Sequence, residues 1–321
     1  MKLPLKIGFL GFGEWASSAY FPILSQRSDV QITAVSAMHK TTLNKCKKIL
    51  GNSVQLFIGF EELLKNASID IVFIALPPVI SGNATELALK NKLHIFLEPP
   101  IKSNIDTLVQ LNKKYPKVFQ INLELNHLPV INNCKNLIND NVIGKVLNST
   151  INLECNWANS WNKNENEMRD FIIGLSSWYL AITDSLTQNK PIDSSFIEEQ
   201  NKHTKGRIEV KYPDNYFGIW KFNLMTGLKT RMTLIVKGTT GLLEVNLLNG
   251  KLIIRHKNKI IEQIVQAHES ILEFGGMHES INNFLDAIIN KKKSETNFNQ
   301  YLQINKIHQM LYNKYDEFKG I

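Results

Sequence analysis

The sequence predicts an α/β protein: an N-terminal doubly wound parallel sheet of the Rossmann type, then an α/β domain with a large open, mostly antiparallel sheet. Three observations carry this prediction. Short apolar or β-branched runs alternate with helical patterns over the first third of the chain, the sequence form of repeated βαβ units. A glycine-rich loop follows the first of those runs directly. After about residue 123 longer strand-like runs separated by turn signals replace the alternation.

In order along the chain, the patterns place a strand at 5–10 and a helix at 14–26, which Pro22 would kink or shorten. A strand at 30–36 follows, then a helix at 41–50 stopped by Gly51, a short helix at 61–66 and a strand at 69–75. A helix at 83–90, a strand at 94–97, a helix at 105–115 capped by Ser103 and a strand at 118–122 complete the set. Residues 1–122 are read as the dinucleotide-binding domain and 123–321 as a substrate and oligomerisation domain. There, strands are expected at 144–155, 208–212, 216–224, 229–237, 241–247 and 251–255, with helices at 129–140, 169–187, 277–289 and 299–318 covering one face of their sheet.

Composition narrows the function. With 321 residues, 43 % hydrophobic and 21 % charged, the chain suits two folded domains and neither a disordered nor a collagen-like protein. The net charge of +8 is diffuse. Its densest run, Lys291 to Lys293, lies between two helical patterns and lacks arginine–aromatic interleaving, so it reads as a solvated turn and nucleic acid is not an expected partner. No apolar stretch approaches the roughly 20 residues of a membrane span, and the start of the chain does not read as a secretory signal. Cys46, Cys134 and Cys155 have no metal-ligand spacing and read as reduced thiols. A cytoplasmic protein without a metal site is the expectation.

Gly11-Phe12-Gly13-Glu14-Trp15-Ala16 forms a G-x-G-x-x-A pattern between the first strand and the first helix. There Gly11 permits the tight turn, Gly13 lets the backbone approach a pyrophosphate, and Ala16 allows close helix–sheet packing. Glu14 is an electrostatic penalty beside a phosphate. The carboxylate that commonly grips the adenosine ribose at the end of the second strand is absent; Ser36, His39 and Lys40 stand there instead. They favour a 2′-phosphate and hence NADP over NAD, the competing reading being a solvated turn. Trp157 and Trp161 bracket an Asn-rich segment suited to stacking on a carbohydrate or planar ligand, or to an ordinary surface loop.

Leu76-Pro77-Pro78, followed at the same spacing by His94-Ile95-Phe96-Leu97-Glu98-Pro99-Pro100, resembles the Gfo/Idh/MocA oxidoreductase family, with its T-P-P loop and E-K-P segment. Together with the glycine loop, the Ile143-Gly144-Lys145-Val146 turn and the segment 284–288, the resemblance spans nearly the whole chain. It implies a Rossmann domain and an open-sheet domain, association through that sheet into an oligomer, and NAD- or NADP-dependent oxidation or reduction of sugars and related small molecules. It also implies nicotinamide near Leu76, Pro77, Glu98 and Pro99, with substrate toward Asn126, His127, Trp178 and Tyr179.

The family's polar catalytic positions are replaced here. The E-K-P lysine is Pro99, the histidine after T-P-P is Ser81, the R-F-x-P arginine is Asn126, and the late Asp and His fall on Trp178 and Ile182. Gly174 to Leu180 is similar to a helix of biliverdin reductases, which also lack the lysine. His127 and Tyr179 are the candidate acid–base groups, since oxidising an alcohol needs a group to take its proton; each also reads as a packing residue. The expected function is an atypical NAD(P)-dependent oxidoreductase with a sugar-like substrate. The alternatives are a redox-neutral carbohydrate enzyme and a non-catalytic subunit acting with a protein partner.

Overall fold

A computed structural model describes residues 3–102, 104–158, 164–187, 189–200, 203–227, 229–257, 259–265, 275–291 and 298–319. Contacts divide the chain into two units, one of residues 1–122 with 277–298 and the other of 123–276 with 299–321.

The first unit contains β1 (Leu5–Leu10), α1 (Phe21–Leu24), β2 (Val30–Ala37), α2 (Lys40–Leu50), β3 (Gln55–Ile58), α3 (Phe60–Asn66) and β4 (Ile71–Ile74). α4 (Pro78–Lys90), β5 (His94–Leu97), α5 (Ile105–Lys114) and β6 (Phe119–Ile121) follow. Its six strands are parallel in the order β3-β2-β1-β4-β5-β6, the doubly wound order that opens a ligand crevice where the winding reverses, between β1 and β4. β4 and β5 are buried throughout and read as unbroken apolar runs, as strands covered on both faces must.

The helix expected at 14–26 runs over 14–24 and contains a π-helical turn, Ala16–Tyr20, ahead of α1. Pro22 falls at the start of α1, where its missing N–H removes no internal helical bond. α4 starts earlier than its apolar pattern, at Pro78, for the same reason. Asn104 caps α5, its Oδ1 accepting from the Thr107 N–H at 3.3 Å; Ser103, the expected cap, lies outside the described residues.

The second unit contains a 3₁₀ turn (Glu124–His127), α6 (Pro129–Asn139), β7 (Val146–Glu154), α7 (Glu165–Ser185), β8 (Asp193–Gln200), β9 (Lys205–Lys211) and β10 (Phe217–Asn223). β11 (Arg231–Gly238), β12 (Gly241–Asn246), β13 (Lys251–His256) and β14 (Lys259–Ile264) complete its sheet. The eight strands run in the order β14-β13-β12-β11-β7-β10-β9-β8, with only β7 and β10 parallel. Alternate residues Ser149, Ile151 and Leu153 of β7, Trp220 and Phe222 of β10, and Leu234 and Val236 of β11 point to one buried face, the period-two pattern of a sheet covered on one side. α7 packs on β7 and β10 there, and an Asn164–Glu167 capping box fixes its start.

α8 (Met277–Ile289) was expected on the antiparallel sheet, but it belongs to the first unit. Its Phe284 ring meets Phe73 of β4 at 5.8 Å and Phe96 of β5 at 5.3 Å. Burying such a ring is worth about 1.5–3 kcal/mol, and the Gln120 amide adds hydrogen bonds to Ser280 O at 2.9 Å and Oγ at 3.1 Å. α9 (Phe298–Lys319) packs on the second unit instead: Ser194 Oγ donates to Ile307 O at 3.3 Å, and His308 Nε2 lies 3.1 Å from Ser176 Oγ.

Candidate functional site

The glycine loop sits at the switch point. Gly11 donates its N–H to Ser36 O at 3.0 Å, has φ +82°, and leaves no room for a side chain: an added Cβ would stand 2.4 Å from Ala75 O. The loop is thus wedged between the ends of β2 and β4. At Gly13, by contrast, an added Cβ would meet nothing within 4 Å. Gly11 therefore shapes the turn, while Gly13 keeps an open cradle beside it, the arrangement that lets a pyrophosphate approach the backbone. Ala16 is fully buried, and Phe12 packs edge-on to Phe9 at 5.1 Å, so only its backbone faces the loop. Glu14 and Trp15 are exposed.

At the end of β2 the expected trio divides. The Ser36 hydroxyl is buried and donates to Phe9 O at 3.4 Å, so it turns into the fold and away from a 2′-phosphate. His39 and Lys40 are exposed, and His39 occupies the N-cap of α2, whose first turn holds no acidic residue. A helix start and an ammonium both favour an anion there.

The carboxyl ends of β4, β5 and β6 carry a polar cluster that sequence reasoning named only at Glu98 and Trp15. The Tyr20 hydroxyl donates to Glu98 Oε2, and Asn122 Nδ2 donates to the same oxygen at 2.9 Å. The Trp15 indole N–H donates to the Tyr20 hydroxyl at 3.1 Å, and Ser280 Oγ donates to Asn122 Oδ1 at 3.1 Å. Burial pushes the Glu98 carboxyl up to about 7 against the lowering effect of the Tyr20, Asn122 and Trp15 hydrogen bonds. Tyr20 escaped detection because it looked like one apolar residue of an ordinary helix, and the π-helical turn, a geometry enriched at functional sites, is not visible in residue periodicity.

Leu76 flanks Gly11, its Cδ2 at 3.1 Å from an added Gly11 Cβ. Pro77 is the N-cap of α4, Pro99 is buried, and the Pro99–Pro100 peptide bond is cis. The Ser81 hydroxyl is fully buried and donates to Pro78 O at 3.1 Å, so it serves the first turn of α4.

In the second unit the five remaining described candidates diverge. The Trp178 indole donates to Glu124 Oε2 at 2.5 Å. Asn126 is 4 % exposed, yet neither its Nδ2 nor its Oδ1 has a partner among the described residues, and a buried amide is ordinarily paired with protein, water or ligand. His127 is 3 % exposed, and burial, with Lys135 adding to it, pushes it down to about 4. Tyr179 is equally buried and stacks on Trp220 at 4.7 Å; burial first, then Cys155 and Glu124, move its hydroxyl far above the ordinary phenol range. Burial thus disfavours the charged form of both His127 and Tyr179. Trp157 is half-buried; Trp161 lies outside the described residues. The three cysteines are free and buried, and no helix among the described residues is long and apolar enough to cross a membrane.

Residues 5–123 match the sequence model of an oxidoreductase family with an NAD-binding Rossmann fold, Gfo/Idh/MocA. The match covers the six-stranded parallel sheet and runs one residue past the first unit's N-terminal segment. A curated relative, the dTDP-3,4-didehydro-2,6-dideoxy-alpha-D-glucose 3-reductase of Saccharopolyspora spinosa, is 23 % identical over 112 residues, 35 % of this chain and 33 % of that protein. The match thus spans about a third of the relative's length.

Solved structures extend the likeness in fold to the whole chain. A dehydrogenase from Chromobacterium violaceum superposes with a TM-score of 0.85 at 15 % identity, covering 98 % of this chain and 96 % of its own. An oxidoreductase from Agrobacterium radiobacter, solved with NAD+, L-tartaric acid and magnesium, gives 0.81 at 13 % identity over 97 % and 96 %. A 3-ketoreductase from Actinomadura kijaniata, as a K102A mutant with TDP-benzene and NADP, gives 0.77 at 14 % identity over 97 % of both chains.

Proposed function

We propose that this protein is an NAD(P)-dependent oxidoreductase acting on a sugar-like small molecule without the lysine of the family's E-K-P segment. The observation that carries the reading is the glycine pair at the switch point: Gly11 wedged against Ala75 O and Gly13 open beside it, in a domain that matches an NAD-binding family. The residues present fit a dinucleotide, because the space above Gly13 is the space a side chain would fill. When bound, a nicotinamide dinucleotide supplies hydride exchange with a substrate carbon.

This chain's own residues supply binding and orientation. The backbone from Gly11 to Trp15 holds the pyrophosphate, and His39 and Lys40 hold the 2′-phosphate that favours NADP over NAD. Leu76, Pro77 and Pro99 give the nicotinamide an apolar bed beside Glu98. The substrate class is supported by the reductase of Saccharopolyspora spinosa, whose name gives a dTDP-linked deoxysugar, and by the 3-ketoreductase of Actinomadura kijaniata, solved with TDP-benzene and NADP. The unpartnered Asn126 amide supports it, as a donor–acceptor pair suited to vicinal hydroxyls.

Calorimetric titration with NADP⁺, NADPH, NAD⁺ and NADH tests this, after mass spectrometry has checked for a retained cofactor. Micromolar binding with NADP(H) ahead of NAD(H) is expected. Absence of binding by all four would overturn the reading, and tightly retained NAD would replace it with the redox-neutral alternative.

A further inference from the structure

Among the described groups beside the glycine loop, one carboxyl is built to exchange protons. Glu98 follows the last residue of β5, and its N–H donates to Ile74 O at 3.0 Å, next to the Ala75 carbonyl that confines Gly11. The loop and Glu98 therefore flank the same strand end. Glu98 Oε2 is fixed from two sides, by Tyr20 from the π-helical turn and by Asn122 just after β6. Glu98 is half-buried as a residue, while Tyr20 and Asn122 are wholly buried. A carboxyl so held has little freedom to rotate.

We propose that Glu98 is the catalytic proton acceptor and donor of this site, with Tyr20 and Asn122 as the positioning residues that aim it. The proposal rests on the reading of the site as a nicotinamide dinucleotide site. In the oxidising direction the substrate O–H bond breaks and its proton passes to the Glu98 carboxylate. The carbon–oxygen double bond forms as the C–H electron pair leaves as hydride for the oxidised dinucleotide. In the reducing direction the Glu98 carboxylic acid returns the proton to the carbonyl oxygen. Pro99, the adjacent residue, has no group that can do either.

The surroundings set the working range. Among the described residues the groups on the carboxyl are Tyr20 and Trp15 from the π-helical turn and its entry and Asn122 after β6, the last of them held in turn by Met277 and Ser280 of α8. Tyr20 is the titratable one, and none of them carries a charge at neutral pH. Burial therefore decides the balance and places the carboxyl at about 7, where a proton can move in either direction.

Proton release on cofactor binding tests this without knowledge of the substrate. The oxidised nicotinamide ring is a cation and the reduced ring is neutral, so only the oxidised form favours the Glu98 carboxylate. Calorimetric binding of NADP⁺ and NADPH near pH 7, in phosphate and in Tris, reads the protons released from the difference in heat between the two buffers. Wild-type protein is expected to release about half a proton with NADP⁺ and far less with NADPH, since a group at about 7 is half protonated there. Glu98→Gln should bind both forms with no such difference. Tyr20→Phe removes a donor to the carboxylate, so the pH of maximal release should move upward; this variant carries the test if Glu98→Gln fails to fold.

Proton release unchanged in Glu98→Gln, or none in the wild type despite binding of both forms, would overturn the proposal and leave the dinucleotide reading standing. Failure of every dinucleotide to bind would overturn both.

Discussion

The Tyr20 hydroxyl donates to Glu98 Oε2, joining the turn after the glycine loop to the end of β5. The bond favours the carboxylate, but burial outweighs it, and the folded protein holds the Glu98 proton to about 7, above the ordinary value of 4.5. Between these values the folded chain binds more protons than the unfolded one. The contribution to stability is complete below about 4.5 and is lost as pH rises through about 7. Glu98→Gln should remove this dependence, leaving the variant about 3 kcal/mol more stable than the wild type at pH 8, relative to their difference at pH 4. Urea unfolding at the two pH values checks it, and parallel profiles would contradict it.

The two loop glycines should separate folding from binding. Gly11→Ala places a Cβ at φ +82° against Ala75 O and is expected to destabilise by about 2–3 kcal/mol. Gly13→Val projects into open space, so its unfolding free energy should stay within about 1 kcal/mol of the wild type. Its affinity for dinucleotides should nevertheless fall at least about tenfold, because the branched side chain fills the cradle. Urea unfolding and calorimetry on the same samples make the comparison; equal loss of stability in both variants would mean that Gly13, too, only shapes the turn.

The contrast between these glycines explains what the sequence made legible. The G-x-G-x-x-A spacing, the apolar runs of β4 and β5 and the alternation of β7, β9, β10 and β11 reflect burial, and burial writes its period into residue order. β3, β8 and β14 lie outside the strands the sequence predicts; they are three of the four edges of the two sheets. Asp193-Ser194-Ser195 and the charges of Lys259 and Glu262 suit strands open on one side and blur the strand signal. The placement of α8 was illegible for another reason. An amphipathic helix declares that it has a buried face but not which sheet covers it. The Tyr20–Glu98–Asn122 cluster joins residues up to 102 positions apart through a π-helical turn that no spacing rule marks.

Lys40, exposed in the first turn of α2, should govern the choice between cofactors. Lys40→Glu replaces an attraction for a 2′-phosphate with a repulsion beside a helix start, a change of about 1.4 kcal/mol or tenfold in affinity. NADP(H) should therefore weaken by about that factor while NAD(H), which lacks the phosphate, is unaffected. Calorimetric dissociation constants for both pairs provide the check. An equal effect on NAD(H) would place Lys40 away from the ribose.

His308 contributes a pH dependence of the opposite sign to that of Glu98. Burial pushes it down to about 4 from 6.5, so the folded chain binds fewer protons than the unfolded chain between these values. Its contribution is complete above about 6.5 and is lost as pH falls through about 4, up to about 3 kcal/mol in all. His94 and His127, also near 4, act in the same direction. His308→Gln keeps a polar group near Ser176 Oγ and does not titrate. The loss of stability between pH 7 and pH 4, measured by urea unfolding, should be smaller in this variant, and an unchanged loss would show that the ring is not held neutral.

Asn126 offers a test in which stability and function move in opposite directions. Its amide is buried with neither end partnered among the described residues, and an unpaired buried amide costs about 1–3 kcal/mol. Leucine has nearly the same shape and needs no hydrogen bond. Asn126→Leu is therefore expected to raise the unfolding free energy of the free protein by about 1 kcal/mol. Turnover of a panel of sugars and sugar ketones with NADP⁺ and NADPH should fall in the same variant. Urea unfolding decides the first point: a loss of stability would mean that the amide is satisfied within the folded chain, and Asn126 would cease to be a candidate for holding the substrate.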